Sequence, residues 1–548
     1  MKFLTRIFDV TIAALLALSM SGGIQWGGRE ILRHAADPRR AAILLLAAGF
    51  FFSPQLRTQS ILLRWAASLI HRLSSDPRLR WGIFGTVFIV AEAVSVLQAL
   101  AIRVRLWDIG IFHQILWSLT HGFGFHSTIS GAGNFLLDHS AVSLALLAPL
   151  AWLSNNSPLL LPILQPIILF GGCAAWIYLA ERLPDCSKEK RGRLAAYTLL
   201  VSISFQSIWG NLEWGFHENA LAFCALSWAF TLLYLRKHDW LVALLLLIAA
   251  GSKEILLVSI GFGFFFWAAL RSKESKSWKR ELPKMLTGLV LIAIFIWFEK
   301  LPRPADKNYF LRYYSYLGSG ISDFFMTLLL NPLTVVQNVG AGELAKYFKT
   351  VFLPWLGIPL LLLALPAARI WAGLIAVIVP SLASAALATY PPLRGINFHY
   401  VLELWPALAI CTLIGLSYLK RPDIFSRVLQ LWLLVALLGL DFDPLSSIRE
   451  NLLGSVQQAQ ARTAMSKIPA TSSVLADELA GTWVAGRKTV ARWPDLRFFE
   501  SGCPDWIIVG RSHDFQTQPI TCNSGQQPVL QWQHGDWAGY LLPPVSKM

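Results

Sequence analysis

Between Trp107 and Trp117 the chain reads W-D-I-G-I-F-H-Q-I-L-W, which sets a carboxylate (Asp108), an imidazole (His113) and an amide (Gln114) among apolar side chains. An apolar run long enough to cross a bilayer precedes this stretch. An ionisable group near hydrocarbon is costly unless it faces protein or a wet cavity, so Asp108 reads as a functional acid. Trp107 and Trp117 suit interfacial anchoring equally well. Comparable groups recur downstream. They are Asp138 and His139; Glu213, His217 and Glu218; Lys253 and Glu254; Arg312 among Tyr309, Tyr313, Tyr314 and Tyr316; and Arg394 with His399. Carboxylates, imidazoles and arginines together suit a substrate with an anionic head and a lipid tail. An arginine can clamp phosphate with two parallel hydrogen bonds. A carboxylate can take the proton from an attacking hydroxyl. With a His or Glu beside it, it can instead hold a divalent cation that neutralises a departing phosphate. Each residue also has a plainer role: a histidine beside a helix cap, a solvated turn, an arginine snorkelling to the interface. Their common side of the membrane is what points to a site.

That common side follows from the elements around them. Of 548 residues, 55% are hydrophobic and 14% charged, and the mean hydropathy is +0.52; a soluble domain keeps about a quarter of its residues charged. Repeated apolar runs imply an all-α polytopic membrane protein. The formal charge of +15 implies no nucleic-acid partner, because Lys and Arg cluster between apolar runs, as cytoplasmic loops do. Residues 7–24 read as a retained anchor, since no clear small-x-small cleavage site follows. The run 41–56 leads into Arg57, Arg64, Arg72, Arg78 and Arg80, on the cytoplasmic side. The run 82–102 then places Asp108 outside. Residues 141–153 are too short to cross comfortably and read as interfacial or re-entrant. The runs 159–181, 194–212 and 219–235 follow, then a hairpin over 241–270 with Lys253 and Glu254 at its outer tip. A run at 285–299 and an outer loop at 300–349, interfacial near 324–338, lead to runs 350–365, 371–389, 400–419 and 427–440. The sum is about 13 transmembrane helices, with the N-terminus cytoplasmic and the C-terminus outside. Three parts are expected: an extension with two membrane helices (1–80), a transmembrane domain (81–441) and a small extracytoplasmic α/β domain (442–548). The last has a helical opening at 446–466 and β-like runs at Ser473–Ala476, Thr489–Ala491 and Trp506–Val509. Cys503 and Cys522 fall there, and an oxidising compartment would allow them to pair. Cys173, Cys224 and Cys411 read as core residues, and no CxxC or His/Cys cluster suggests zinc.

W-D-x-G-I-F-x-Q-x-x-W, the Leu137-Asp138-His139-Ser140 stretch, Leu164-Gln165, the Glu213–Glu218 corner (E-W-x-F-H-E) and Ser252-Lys253-Glu254 occur in that order. A tail pattern follows: Val474-Leu475-Ala476, Arg487, Pro494 and Asp505-Trp506-Ile507-Ile508-Val509. Together, over about 82–510, they resemble an uncharacterised family of prokaryotic predicted membrane proteins, a domain-of-unknown-function family related to the GT-C glycosyltransferases. The resemblance implies a GT-C-like multi-span fold in the cytoplasmic (inner) membrane. It also implies transfer of a sugar from a polyprenyl-phosphate-linked donor to an acceptor at the extracytoplasmic face. The acidic residue of the first outer loop, central to catalysis in such enzymes, is matched by Asp108. The family pattern carries a second acid after Phe112 where this chain has His113, which weighs against a metal there. Of the family's His-aromatic-Ser-Pro, only His139 carries over.

The resulting expectation is a glycosyltransferase with Asp108, Glu213 and Glu254 catalytic. His113, Gln114, His139, His217, Lys253, Arg312, Arg394 and His399 would bind substrate. A lipid-linked sugar and membrane lipid are the partners, and a divalent cation is the cofactor such chemistry admits. The rival from another class is a transporter or flippase of lipid-linked saccharides. Transporters commonly show matched broken helices in two halves, and none is visible here. A catalytically dead scaffold acting through the outer tail is a third reading.

Overall fold

The computed structural model describes residues 2–20, 25–26, 29–30, 38–184, 186–275, 278–301, 313–357, 368–395, 399–440, 442–497, 499, 503–510 and 528–542. Local chemistry starts several of its helices. The side chains of Asp76 and Asp443 accept backbone N–H groups at the starts of Pro77–Leu100 and Pro444–Gln457, each with proline in the first turn. Ser187 caps Lys188–Ile203 in the same way. These side chains satisfy donors that a helix start leaves open, and proline loses nothing there.

Crossing the hydrocarbon takes about 20 apolar residues. Among the described residues five stretches are long and apolar enough: Pro77–Leu100, Leu160–Arg182, Glu281–Glu299, Pro391–Tyr418 and Pro422–Gln457. The thirteen crossings expected from sequence are therefore not matched by thirteen helices of spanning length. Several apolar runs are interrupted. The run expected at 194–212 divides at Ser204 and Phe205 into Lys188–Ile203 and Gln206–Trp214. The hairpin is built from Asp239–Ala250 and Glu254–Ser275, with Lys253 in the turn. Residues 358–367, overlapping the run expected at 350–365, lie outside the described residues. The 141–153 stretch is a 3₁₀ turn, Val142–Leu147, followed by the short helix Ala148–Leu153, with Trp152 and Leu153 exposed.

Inside the bundle, Trp176, Trp209, Trp355, Trp405 and Trp432 are almost wholly buried. Three of their ring N–H groups are satisfied, Trp209 by the Ile203 carbonyl at 2.8 Å, and Trp405 by Ser207 Oγ and Trp432 by the Pro354 carbonyl, each at 2.9 Å. A buried ion pair, Arg80–Glu181 at 3.0 Å, joins Pro77–Leu100 to Leu160–Arg182. The first 80 residues are attached as well. Arg39 and Arg40 donate to the carbonyls of Phe442 and Leu438.

After Asp443 the chain forms a five-stranded sheet: β1 (Val474–Ala476), β2 (Val490–Arg492), β3 (Trp506–Gly510), β4 (Val529–His534) and β5 (Trp537–Leu541), in the order β2-β1-β3-β5-β4. β1 lies parallel to both β2 and β3, whereas β5 is antiparallel to β3 and β4. The β-like runs seen in the sequence coincide with β1–β3. The β4–β5 hairpin was not expected. Cys503 is disulfide-bonded, and Cys522 lies outside the described residues.

Gln114 ties this sheet to the first loop. Its Nε2 donates to Thr128 Oγ1 at 3.0 Å and to the carbonyls of Arg487 and Lys488, both at 3.2 Å. Its Oε1 accepts from Ser127 Oγ at 2.9 Å and from the N–H groups of Thr128 and Ile129. Thr128 then exchanges hydrogen bonds with both backbone groups of Val490 in β2. Substitution of Gln114 by Leu, similar in size, strands these groups at about 1–3 kcal/mol for each left unpaired. The Gln114→Leu chain in detergent should melt earlier and be cut sooner by protease around residues 442–497. An unchanged melting temperature and cleavage pattern would show that the amide does not hold the two parts together.

Candidate active site

Asp108 lies in a π-turn, Leu106–Gly110, that leads into the helix Ile111–Thr120. Such turns widen the backbone and often occur at functional positions. Opposite it, the Glu213–Glu218 corner folds back at Gly215, whose φ is +94°. A side chain at 215 would be strained by that φ, and a Cβ there would lie 2.9 Å from Ile109 Cγ1. The turn brings His217 Nε2 to 3.2 Å from Asp108 Oδ1. The contact is a charge-pair distance and not an aligned hydrogen bond, because Nε2 makes none among the described residues. The His217 ring stacks on His399 at 3.4 Å between centroids and 14° between planes.

These residues line a cavity of about 610 Å³. Arg105, Trp107 and Trp214 form one wall, Tyr390 and Tyr400 another, and Asp477, Glu478, Arg492 and Trp493 close it from the C-terminal sheet. Glu478 is joined to the first loop twice: its carbonyl accepts the Leu106 N–H at 2.7 Å, and its Oε1 accepts the Trp107 N–H at 3.2 Å. Arg492 Nη1 stands 3.0 Å from its other carboxylate oxygen. Burial, and then the charge of Asp108, hold the Glu478 carboxyl above its ordinary range against the pull of the Trp107 N–H and Arg492. Arg105 lies over the Trp214 ring and Arg492 over Trp107.

A second cluster adjoins the first through Tyr400. The His399 and Tyr400 rings are 4.0 Å apart, and Lys253 Nζ lies 5.1 Å from the Tyr400 centroid. Lys253 reaches Glu403 Oε1 at 4.0 Å, and Asn219 Nδ2 donates to Glu403 Oε2 at 2.6 Å. On the next residue, Glu254 meets His139 Nδ1 at 3.2 Å and accepts the Ser140 N–H. Burial opposes the charged form of His139, yet the Glu254 carboxylate beside it holds the imidazole up to about 9.

Asp108, His217 and His399 thus line one cavity, and Lys253, Glu254 and His139 continue from it. Other expected residues do not join them. Glu213 is exposed and does not line the cavity; its carbonyl accepts from Gln98. His113 is buried between the carbonyls of Asn156 and Thr482, at 2.9 and 3.4 Å, and burial lowers its pKa. Gln114 is occupied by the clamp to the sheet. Arg394 turns back to the Ala388 carbonyl, with Glu343 4.0 Å away. Arg312 lies outside the described residues. Sequence reasoning missed Arg105, Glu403, Asp477, Glu478 and Arg492. Two signals were there: an acid inside the apolar run at 400–419, and an acidic pair just past a β-strand, where open parallel sheets place their ligands. Among the described residues no three His, Cys, Asp or Glu side chains are grouped to hold a metal ion.

The family described as Predicted membrane protein (DUF2079) matches residues 104–536, and the chain belongs to it. No curated protein matches the chain. Among solved structures it is similar to the crystal structure of ArnT from Cupriavidus metallidurans in the apo state, at 12% identity over 85% of this chain and 98% of that one, with a TM-score of 0.47. That likeness is too low for fold or function to be read from it.

The His139–Glu254 pair has a pH signature. The folded pKa of His139, about 9, lies above the 6.5 of an unperturbed imidazole. Its contribution to stability is therefore complete below about pH 6.5 and lost as pH rises through about 9. The melting temperature of His139→Gln in detergent should fall below that of the wild type at pH 6, and the gap should close by about pH 10. A gap constant across that range would mean that the pair carries no charge.

Proposed function

We propose that the chain is a membrane glycosyltransferase of the GT-C kind, which moves a sugar from a polyprenyl-phosphate-linked donor to a hydroxyl acceptor at the extracytoplasmic face of the cytoplasmic membrane. The observation that carries the reading is an aspartate held beside a buried imidazole, 3.2 Å away, in a cavity of about 610 Å³ whose walls are aromatic and bear two arginines. The acceptor oxygen would bond to the anomeric carbon as the bond from that carbon to the phosphate oxygen breaks. Asp108 would take the hydroxyl proton. The phosphate keeps the bonding electron pair and leaves on its lipid, with its charge met by Arg105 or Arg492. These arginines take the part that the sequence assigned to Arg394, which turns back to its own loop. His217 Nε2, 3.2 Å from the carboxylate, fixes its place in the cavity. The flat walls of Trp107, Trp214, Tyr400 and Trp493 suit the faces of a sugar ring. Glu254 falls to a positioning role, orienting His139 and the hairpin tip. In the same reading the N-terminus is cytoplasmic, the tail from 442 is extracytoplasmic, and several of about thirteen crossings are made by short or broken helices.

Asp108→Asn keeps the shape and removes the base. With membranes supplied with lipid-linked sugars, transfer should fall by about 10²–10⁴-fold, the range of a positioned general base. Unchanged transfer would remove Asp108 from catalysis. A wild type that transfers no sugar from any donor tried, yet carries labelled lipid unaltered across proteoliposomes, would replace the enzyme with a flippase.

A further inference from the structure

The outer domain holds a second cavity, of about 490 Å³, away from Asp108. Its volume falls within the roughly 300–1,000 Å³ usual for ligand pockets. It lies where the helix Ala459–Ser466 passes over one face of the sheet. Trp506, Trp532 and His534 come from the strands, and Gln460, Thr463 and Lys467 from the helix and its end. Trp506 opens β3 and pairs with Val474, the first residue of β1. Asp477 and Glu478, which face the transfer cavity, follow the other end of β1. The two cavities therefore stand at opposite ends of the parallel strands.

The strand chemistry builds a flat platform. A bulge between Leu530 and Trp532 shifts the register of β4 against β5, and bulges re-aim the side chain that follows. Trp532 lies across Gly539, where a Cβ would come within 2.2 Å of the indole. One face of the ring is thus covered by backbone. Its plane is nearly parallel to that of His534, with centroids 6.1 Å apart. Trp532 Nε1 is buried with no acceptor among the described residues.

We propose that this pocket binds a saccharide. Indole and imidazole planes match the C–H faces of a pyranose, while an amide, a hydroxyl and an ammonium at the rim match its hydroxyls. An acyl chain would need walls apolar throughout, which Gln460, Thr463 and Lys467 do not provide. A peptide adding to the edge strand β4 would need an even ladder of backbone groups, and the bulge breaks it. The site stands independently of chemistry at Asp108.

Isothermal titration of the detergent-solubilised full chain with chitotetraose, maltotetraose and tetragalacturonate tests this. At least one should bind with Kd of about 1 mM or tighter, about −4 kcal/mol. Thr463→Trp fills the pocket from an exposed helix position and leaves the Trp532 platform intact. It should weaken that binding at least about tenfold without shifting the melting temperature, whereas Asp108→Asn should bind as the wild type does. Absence of binding for all three sugars, or binding that survives Thr463→Trp, would overturn the proposal. So would heat from tetra-alanine and from no sugar. Loss of binding in Asp108→Asn alone would put the sugar in the transfer cavity and overturn it too.

Discussion

A carboxylate set among apolar side chains has to be paired or hydrated, and the structure around Asp108 follows from how that is done. Its partner, His217, comes from a corner more than 100 residues away. The corner can reach Asp108 because Gly215 takes a φ of +94° and carries no Cβ to strike Ile109. The carbonyls of Asn211 and Gly215, exposed by that turn, are both taken up by the buried amide of Gln165. Remove any one of these and an ionised group is left in a setting where its desolvation is worth several kcal/mol. The pairing is thus a chain of dependencies running from one helix through a glycine and an imidazole to one carboxylate.

The same logic extends along the polar seam. Two protonated imidazoles at 3.4 Å would repel strongly in a medium of low dielectric. The His217–His399 stack therefore limits how much positive charge can gather beside Asp108. Beyond Tyr400 the signs alternate again, with Lys253 against Glu403 and Glu254 against His139. Alternation lets the protein bury several ionisable groups side by side, each offset by its neighbour. It also leaves Asp108 as the acid at the cavity end of the seam.

Much of this was legible because burying charge is expensive. Asp108, His139, His217, Lys253, Glu254 and His399 stood out in the sequence as ionisable groups beside apolar runs, and all six lie along the seam. What was not legible depended on backbone turns and distant partners. Glu213 and His217 share one corner, yet the positive φ between them sends one outward and the other into the cavity. Gln114 looked like a substrate ligand because an amide among aromatics needs partners. Those partners are the carbonyls of Arg487 and Lys488, 373 and 374 residues further on. Arg394 bends back to its own loop, a choice set by the Ala388 carbonyl and Glu343. The expected crossings are not matched by as many helices of spanning length for a related reason. Hydropathy records how apolar a stretch is, while breaks such as Ser204-Phe205 depend on the helices packed around it. The short β4 carries a bulge and the short β5 a glycine, so neither shows the alternation by which a strand is recognised.

The outer sheet changes what kind of object the site is. A cavity formed by membrane helices alone could be understood without the tail. Here the residues that follow β1 bind the first loop by its backbone, through Leu106 and Trp107, and the Gln114 amide binds the loop to the start of β2 from the other side. Asp108 sits between these two attachments, so its position is set jointly by the bundle and the sheet. The sheet also brings Arg492 and Glu478 to the cavity wall, adding a second cation and a further acid to Arg105 and Asp108. A separable outer module would have no need of contacts this specific on both flanks of one aspartate. The bundle, the first loop and the tail therefore make one functional unit, with the charge at its centre held from both sides.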